Sequence, residues 1–410
     1  VRSEYDVIVV GARVAGSTLA YRLAQSGYRV LLAEKGQFPS DVLSTHNFFN
    51  NSMAMLEELG VLDKLLATRT PVYRRAHVQL EDAVIAGEFP KAQGYEDCLC
   101  IRRIHLDHIL FEHAAALAGV DAVERLRVTG LLYEGETVTG VRAVRNGSER
   151  LEIKARLVVG ADGRHSTVRA LAGSKCLHAV PTDYASYVGY FKGFRQEQGA
   201  AVELYRIGEQ IAIVFPTSDE LHVVGVMFPL VNENGIAEMK SDPEAGFRKT
   251  VHEAFGGRTT FASRLLEASL EGPIRGLLGY DNNWHEPMGN GWALVGDSWS
   301  FKEPAVGQGM HDAMYSAKCL SGLLSGRDLA NVDWSELAEA YGSRLEQTCM
   351  PLFGLACELT RNVPISPEQS FVNALIAAHP PATSAFLGMY NHANPPEELG
   401  RVIEAIMTRT

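Results

Sequence analysis

Continuous apolar runs alternate with helically spaced apolar positions at both ends of the chain. Tyr5-Asp6-Val7-Ile8-Val9-Val10 is a nearly unbroken apolar stretch, the pattern of a strand buried on both faces. A glycine-bearing turn at 11–16 follows, and Ala15, Leu19 and Leu23 then share one face of a helix that ends near Gly27. Residues 29–34 form a second apolar strand, so the first segment predicts a strand–helix–strand crossover. Met55, Leu56, Leu59 and Leu62 predict one helix over 52–66, and Leu106, Ile109, Leu110, Ala114 and Leu117 predict another over 103–118. Between 127 and 160, strand-like pieces alternate with turns; Asn146-Gly147 is a hairpin signal, and Leu157-Val158-Val159-Gly160 is a further buried strand.

From 176 to 275 the texture becomes β-rich. Short runs at 186–194, 201–205, 210–215 and 221–228 are separated by Gly, Pro, Asp and Asn, which predicts an antiparallel sheet, with a helix at 242–255 after it. Strand alternation puts Ser186, Val188 and Tyr190 on one face and Tyr187, Gly189 and Phe191 on the other, without saying which face meets a substrate. The last third returns to the first texture. A strand and turn at 291–297 lead to a helix from about Gly309, carrying Ala313, Ala317, Leu320 and Leu324. Another helix runs from Trp334 through Leu337, Ala338, Tyr341 and Leu345, and a terminal helix is expected at 397–407. The predicted organisation is a discontinuous α/β domain of 1–75, 98–175 and 276–350. A β-rich domain of 76–97 and 176–275 is inserted in it, and a C-terminal helical segment spans 351–410.

Charge changes the picture next. Lys and Arg number 38 against 49 Asp and Glu, a net of −11, so phosphate backbones and anionic lipid are repelled and nucleic acid is not an expected partner. No stretch approaches the about 20 consecutive apolar residues of a membrane helix, and no cleavable leader is read ahead of the first strand, so a cytoplasmic protein is expected. The six cysteines are scattered without ligand spacing, so no metal is expected.

The first turn carries chemistry. Gly11 permits a sharp exit from the strand and Gly16 permits tight helix packing, so the residues Gly11, Ala12, Arg13, Ala15 and Gly16 suit a dinucleotide pyrophosphate at a helix N-terminus. Glu34, followed by Lys35, ends the second strand where a carboxylate would accept from ribose hydroxyls. The middle glycine of this fingerprint is replaced by Arg13, which fits if its side chain turns away or reaches a phosphate oxygen.

Two later motifs define the resemblance. The run from Leu157 to Arg169, centred on Gly160-Ala161-Asp162-Gly163-Arg164, resembles the "DG" motif of FAD-dependent aromatic hydroxylases. Gly296-Asp297, then Pro304, then Gly307-Gln308-Gly309-Met310 resembles their "GD" motif. With the three motifs in this order, residues 5–350 resemble the single-component flavoprotein monooxygenase superfamily of p-hydroxybenzoate-hydroxylase-like fold, which also includes geranylgeranyl-reductase-like and halogenase-like relatives. The implied fold is α/β: a Rossmann-like FAD-binding domain built from discontinuous segments, an inserted antiparallel β-sheet substrate domain, and a helical C-terminal region.

The resemblance also implies roles. Asp297 would bond the ribityl chain of FAD, and Pro304, Gly307, Gln308, Gly309 and Met310 would pass beside the flavin. Asp162 and Gly163 would lie near the pyrophosphate and ribityl region. Arg103 would lie near FAD, with Arg102 as the alternative. The segment 40–49 occupies the place of a flavin-facing loop. In it His46 is either a contact and catalytic candidate or a turn and capping residue. His311 stands where relatives often carry Asn, and is either a helix-face residue or an acid–base group; Asp297-Ser298-Trp299-Ser300 departs from the usual Asp-Ala-Ala-His. The implied activity is that of a hydroxylase in specialised metabolism. NAD(P)H would reduce FAD transiently, no second dinucleotide turn being present, and O2 would give a flavin C4a-hydroperoxide that oxygenates an apolar aromatic or polycyclic small molecule. A reductase of isoprenoid-type double bonds and a flavin-dependent halogenase are the alternatives, the latter lacking its W-x-W-x-I-P signature. Monomer and homodimer are both compatible.

Overall fold

The computed structural model describes residues 1–42, 44 and 46–408, the side chain of Ala305 apart; Leu43 and Thr45 of the expected flavin-facing loop, and the last two residues of the C-terminal segment, lie outside the described residues. The central sheet runs in the order Met288–Gly289, Trp292–Leu294, Glu149–Gly160, Glu4–Val10, Val30–Ala33, Val120–Val123. The four pairings among the inner strands and with Val120–Val123 are parallel. Val7, Ile8 and Val9 are fully buried because both faces of such a parallel sheet are covered. Strands Leu126–Glu134 and Thr137–Arg145 extend it antiparallel against Glu149–Gly160. The hairpin at Asn146-Gly147 forms with positive φ at both residues (48° and 80°), which matches the right-handed twist of the strands.

The inserted sheet has seven strands, in the order Ser269–Leu277, Tyr184–Lys192, Leu221–Pro229, Gln210–Pro216, Ala201–Ile207, Arg75–Leu80, Ala83–Glu88. Every pairing is antiparallel except Ala201–Ile207 with Arg75–Leu80, which is parallel. Its two faces have different covers. Ala185, Tyr187, Phe191, Val224 and Phe228 pack against Phe247, Phe255 and Phe261, from the helices Pro243–Phe255 and Phe261–Glu267. Tyr184, Tyr190, Ile211, Ile213 and Phe215 pack on the opposite side with Phe49, Tyr73, Ile376 and Leu387. Tyr190, and with it Ser186 and Val188, therefore faces the nucleotide-type domain, and Tyr187 and Phe191 face away from it.

Two local expectations are corrected. The single helix over 52–66 is two, Met53–Glu58 and Leu62–Leu66, because Gly60 takes a left-handed φ of 76° that ends the first. The expected C-terminal helical segment is present as Pro367–Ala378, Pro380–Tyr390 and Pro396–Met407, each with proline in its first turn, where the fixed φ is already helical and the missing N–H is not needed. The helix from Trp334 continues to Leu359 through Pro351, so the expected boundary at 350/351 falls within an unbroken element. Among the described residues no helix is long and apolar enough to cross a membrane.

Candidate functional site

The site begins at the first turn. Gly11 has φ of 100°, and a Cβ there would lie 2.4 Å from the Ala161 carbonyl oxygen. A Cβ on Gly16 would lie 1.8 Å from the Gly11 oxygen and 3.2 Å from the Ala161 Cβ. These two glycines therefore bring the "DG" strand end against the turn. The third motif joins them through Gly296, whose Cβ would be 3.0 Å from the Ala15 Cβ, and through Ser298 Oγ, which donates to the Gly160 carbonyl at 2.6 Å. Arg169 adds a tie, donating to the Ser298 carbonyl at 2.8 Å and to the Arg164 carbonyl at 2.6 Å.

The helix Val14–Gln25 starts at Arg13 with no side-chain cap, so its first N–H groups and positive dipole end suit an anion. Buried Glu34 accepts from Ala12 N at 3.0 Å and Gly36 N at 2.8 Å, while Lys35 is exposed. Arg13 points to Asp107 (3.8 Å) and Ser40 (3.3 Å). Arg103 Nε donates to the other oxygen of Asp107 at 2.9 Å. Asp107 is fully buried; burial raises its carboxyl pKa against the pull of Arg103 and Arg13. Arg13 and Arg103 share the Asp107 carboxylate, and with Glu34 beside Ala12 the formal charges at the turn balance. Asp107 is missed by sequence reasoning, although the Arg103–Asp107 spacing of four is a helical pairing signal. Arg102 turns elsewhere: it pairs with Asp41 (2.5 Å) and Asp219 (2.7 Å) and covers the Tyr190 ring at 4.7 Å.

The two motif aspartates differ. Asp162 accepts from Ser166 Oγ (2.5 Å), Thr167 N (2.7 Å) and Val168 N (3.3 Å), capping the helix Thr167–Ala172 just after Gly163. The Asp297 carboxylate accepts no hydrogen bond from the described residues, and the residue is accessible to solvent, yet protein surrounds it. That environment raises its pKa by desolvation, opposed in turn by Lys302, Arg103, Arg164 and Arg169. An accessible carboxylate ringed by protein is the floor of a cleft.

Pro304 opens a tight turn, Pro304–Val306. Gly307 has φ of 66°, and a Cβ there would strike the Phe49 ring at 2.9 Å. Gly309 starts the helix Gly309–Leu324, a Cβ on it would meet nothing within 4 Å, and Met310 is half-buried. The helix N-terminus therefore faces open space. Gln308 is buried and donates to the Tyr390 carbonyl at 2.6 Å, and Asn391 donates to Asn50 Oδ1 at 2.8 Å. These bonds fold the C-terminal helices over the site. No sequence pattern signals them. Buried Lys302 pairs with Asp312, and burial lowers its pKa. His311 is buried, bonds Asp312 through Nδ1 at 3.0 Å and stacks on His392 at 4.7 Å; burial, then the charges of His392 and Lys302, hold its pKa well below the ordinary value. His46 is fully buried, and burial with the charges of Arg103 and Arg102 lowers it to about 3.

Residues 4–264 match the model of the FAD binding domain. The chain belongs to this FAD-binding family of oxidoreductases. The flavoprotein is similar over most of its length to the digeranylgeranylglycerophospholipid reductase of Methanosarcina acetivorans, at 29% identity over 356 residues, 84% of this chain and 81% of that one. It is also similar to the 6-methylpretetramide 4-monooxygenase of Streptomyces rimosus, at 36% identity over 172 residues, 41% of this chain and 40% of that one. The FAD-binding fold is shared with the myxobacterial chondrochloren halogenase CndH, with a TM-score of 0.77 at 22% identity, covering 92% of this chain and 90% of that one.

Proposed function

We propose that this flavoprotein is an NAD(P)H- and O2-dependent monooxygenase that hydroxylates an apolar aromatic or polycyclic small molecule. One observation carries the reading: the sheet face bearing Tyr190, Ile211, Ile213 and Phe215 is covered by residues 49, 73 and the C-terminal helices in one apolar cluster, whose Phe49 lies against the Gly307 turn. An apolar cover at that turn excludes water, which oxygen transfer from a flavin requires. The residues present fit FAD. The uncapped helix at Arg13, with Arg13 and Arg103 beside it, would hold the pyrophosphate. Glu34 keeps lone pairs for a ribose after its two backbone bonds. Asp297, whose carboxylate has no hydrogen-bond donor among the described residues, would bond the ribityl hydroxyls. The open N-terminus of Gly309–Leu324 would stabilise negative charge on the ring.

FAD, when bound, supplies the electron transfer and oxygen activation. The chain's own part is to bind, orient and exclude water. His46 and His311 stay neutral at working pH, so they hold hydrogen bonds rather than carry protons. Lys302 and Asp312 keep a buried charge pair at the helix start. A second reading, an FAD-dependent reductase of isoprenoid double bonds, is favoured by the long alignment with the Methanosarcina acetivorans reductase. The purified protein, NADH or NADPH and O2 are to be incubated with a panel of polycyclic phenols. Oxygen-dependent formation of a product heavier by one oxygen is expected. Anaerobic saturation of an isoprenoid alkene, with no oxygenated product, would establish the second reading instead.

A further inference from the structure

Arg13 stands where a dinucleotide turn ordinarily has its middle glycine. Its backbone is extended, with φ of −89° and ψ of −159°, a conformation open to any residue. What a glycine would supply there is therefore room for a diphosphate at the helix start. An arginine leaves that room only if its side chain is drawn aside, and Asp107 does the drawing. Asp107 lies on the neighbouring helix Arg103–Ala115 and is fully buried. Its two oxygens are divided between two guanidiniums. Oδ1 accepts from Arg103 Nε at 2.9 Å, and Oδ2 faces Arg13 Nε at 3.8 Å, an ion pair without a hydrogen bond. Both arginines thus turn the Nε edge of the fork to one carboxylate. Their outer nitrogens reach only neutral hydroxyls among the described residues, Ser40 Oγ at 3.3 Å from Arg13 and Ser44 Oγ at 3.5 Å from Arg103. The two guanidiniums are close enough to repel: after burial, the charge of Arg103 lowers the Arg13 pKa, and Asp107 and Glu34 oppose it. Such a pair stands together because a carboxylate lies between its members.

We propose that Asp107 is the positioning residue of the dinucleotide site: it holds the Arg13 side chain off the helix start and presents Arg13 and Arg103 together to the FAD diphosphate. The inference rests on the reading that FAD occupies this turn, and it names the residue that makes an arginine compatible with a glycine's place. The planar outer edge of a guanidinium meets phosphate oxygens in a fixed geometry. Two such edges, held from behind by one carboxylate, suit two linked phosphates. Charge and geometry make opposite forecasts for Asp107→Asn. If charge alone mattered, removing a negative group would tighten the binding of an anion. If Asp107 positions Arg13, its loss frees that side chain to cover the helix start, and binding weakens.

The test is a double-variant cycle on the full chain freed of flavin. Wild type, Asp107→Asn, Arg13→Met and the double variant are titrated with FAD by fluorescence quenching, and urea denaturation follows their folding. Asparagine keeps an acceptor for Arg103 and loses the charge that draws Arg13. Asp107→Asn and Arg13→Met are each expected to weaken FAD binding at least about tenfold, the scale of one charge-assisted hydrogen bond. In the Arg13→Met background, Asp107→Asn is expected to change the affinity by less than about threefold. Unchanged or tighter binding by Asp107→Asn, unchanged binding by Arg13→Met, or a full loss on Asp107→Asn when residue 13 is methionine overturns the proposal. Should Asp107→Asn not fold, Arg13→Lys decides: lysine keeps the charge without the planar fork that Asp107 orients. It is expected to bind as weakly as Arg13→Met, and wild-type affinity overturns the proposal. A wild type that takes up no FAD overturns the functional reading itself; a wild type that binds FAD, with any of the contrary outcomes above, removes only the role of Asp107.

Discussion

The two motif aspartates invite a comparison in which the same substitution has opposite consequences. Asp297→Ala removes a carboxylate that accepts no hydrogen bond from the described protein and whose charged form is disfavoured by its surroundings. In the FAD-free protein the substitution should change unfolding free energy by less than about 0.5 kcal/mol, as for a site without structural partners. Toward FAD it should remove charge-assisted hydrogen bonds worth about 1.5–3 kcal/mol, and so weaken binding roughly 10- to 150-fold. Asp162→Ala instead removes the acceptor of three bonds, to Ser166, Thr167 and Val168. Loss of such a helix cap should cost about 1–2 kcal/mol of stability in the FAD-free protein. The assay is a fluorescence-quenching titration with FAD, paired with urea denaturation of each FAD-free variant. If Asp297→Ala keeps wild-type FAD affinity, or unfolds as readily as Asp162→Ala, the assignment of separate roles is wrong.

Gly16→Ala should prevent FAD binding and destabilise the protein by more than about 3 kcal/mol, because its Cβ would lie 1.8 Å from a backbone oxygen that cannot move aside; denaturation and flavin titration would show it, and wild-type values would refute the packing argument. Arg264→Met should cost about 3–5 kcal/mol, since it strands the buried Glu203 carboxylate that Arg264 meets at 2.8 Å; restored stability in the double variant with Glu203→Gln would locate the cost in the orphaned charge. Because His46 has a pKa of about 3 in the folded state and about 6.5 when unfolded, the unfolded chain binds a proton that the folded one refuses between these values. Stability should therefore fall as pH drops below about 6.5, by up to about 1.4 kcal/mol per pH unit for this group, and His46→Asn should flatten that slope in urea titrations at a series of pH values.

The amino-acid sequence alone determined the features that depend on neighbours a few residues apart. The buried strand of residues 5–10, the turn that needs glycine at 11 and 16, and the glycine loop before the helix at Gly309 are set by local spacing and by backbone angles that only certain residues adopt. Their resemblance to FAD-binding motifs was legible because each carries its own local signature. Local pattern misled where one glycine, Gly60, outweighed a continuous helical periodicity. Only the tertiary structure decided which face of the inserted sheet is turned inward, since alternation defines two faces and burial against other elements distinguishes them. It alone distinguished Asp162 from Asp297 by giving one a helix to cap and leaving the other's carboxylate without a hydrogen-bond donor among the described residues. It alone brought Asn391 to Asn50 and Gln308 to the Tyr390 carbonyl. Such contacts join residues 341 and 82 positions apart and leave no periodic trace in the chain, because their energy depends on the final packing and not on the local choice of residue.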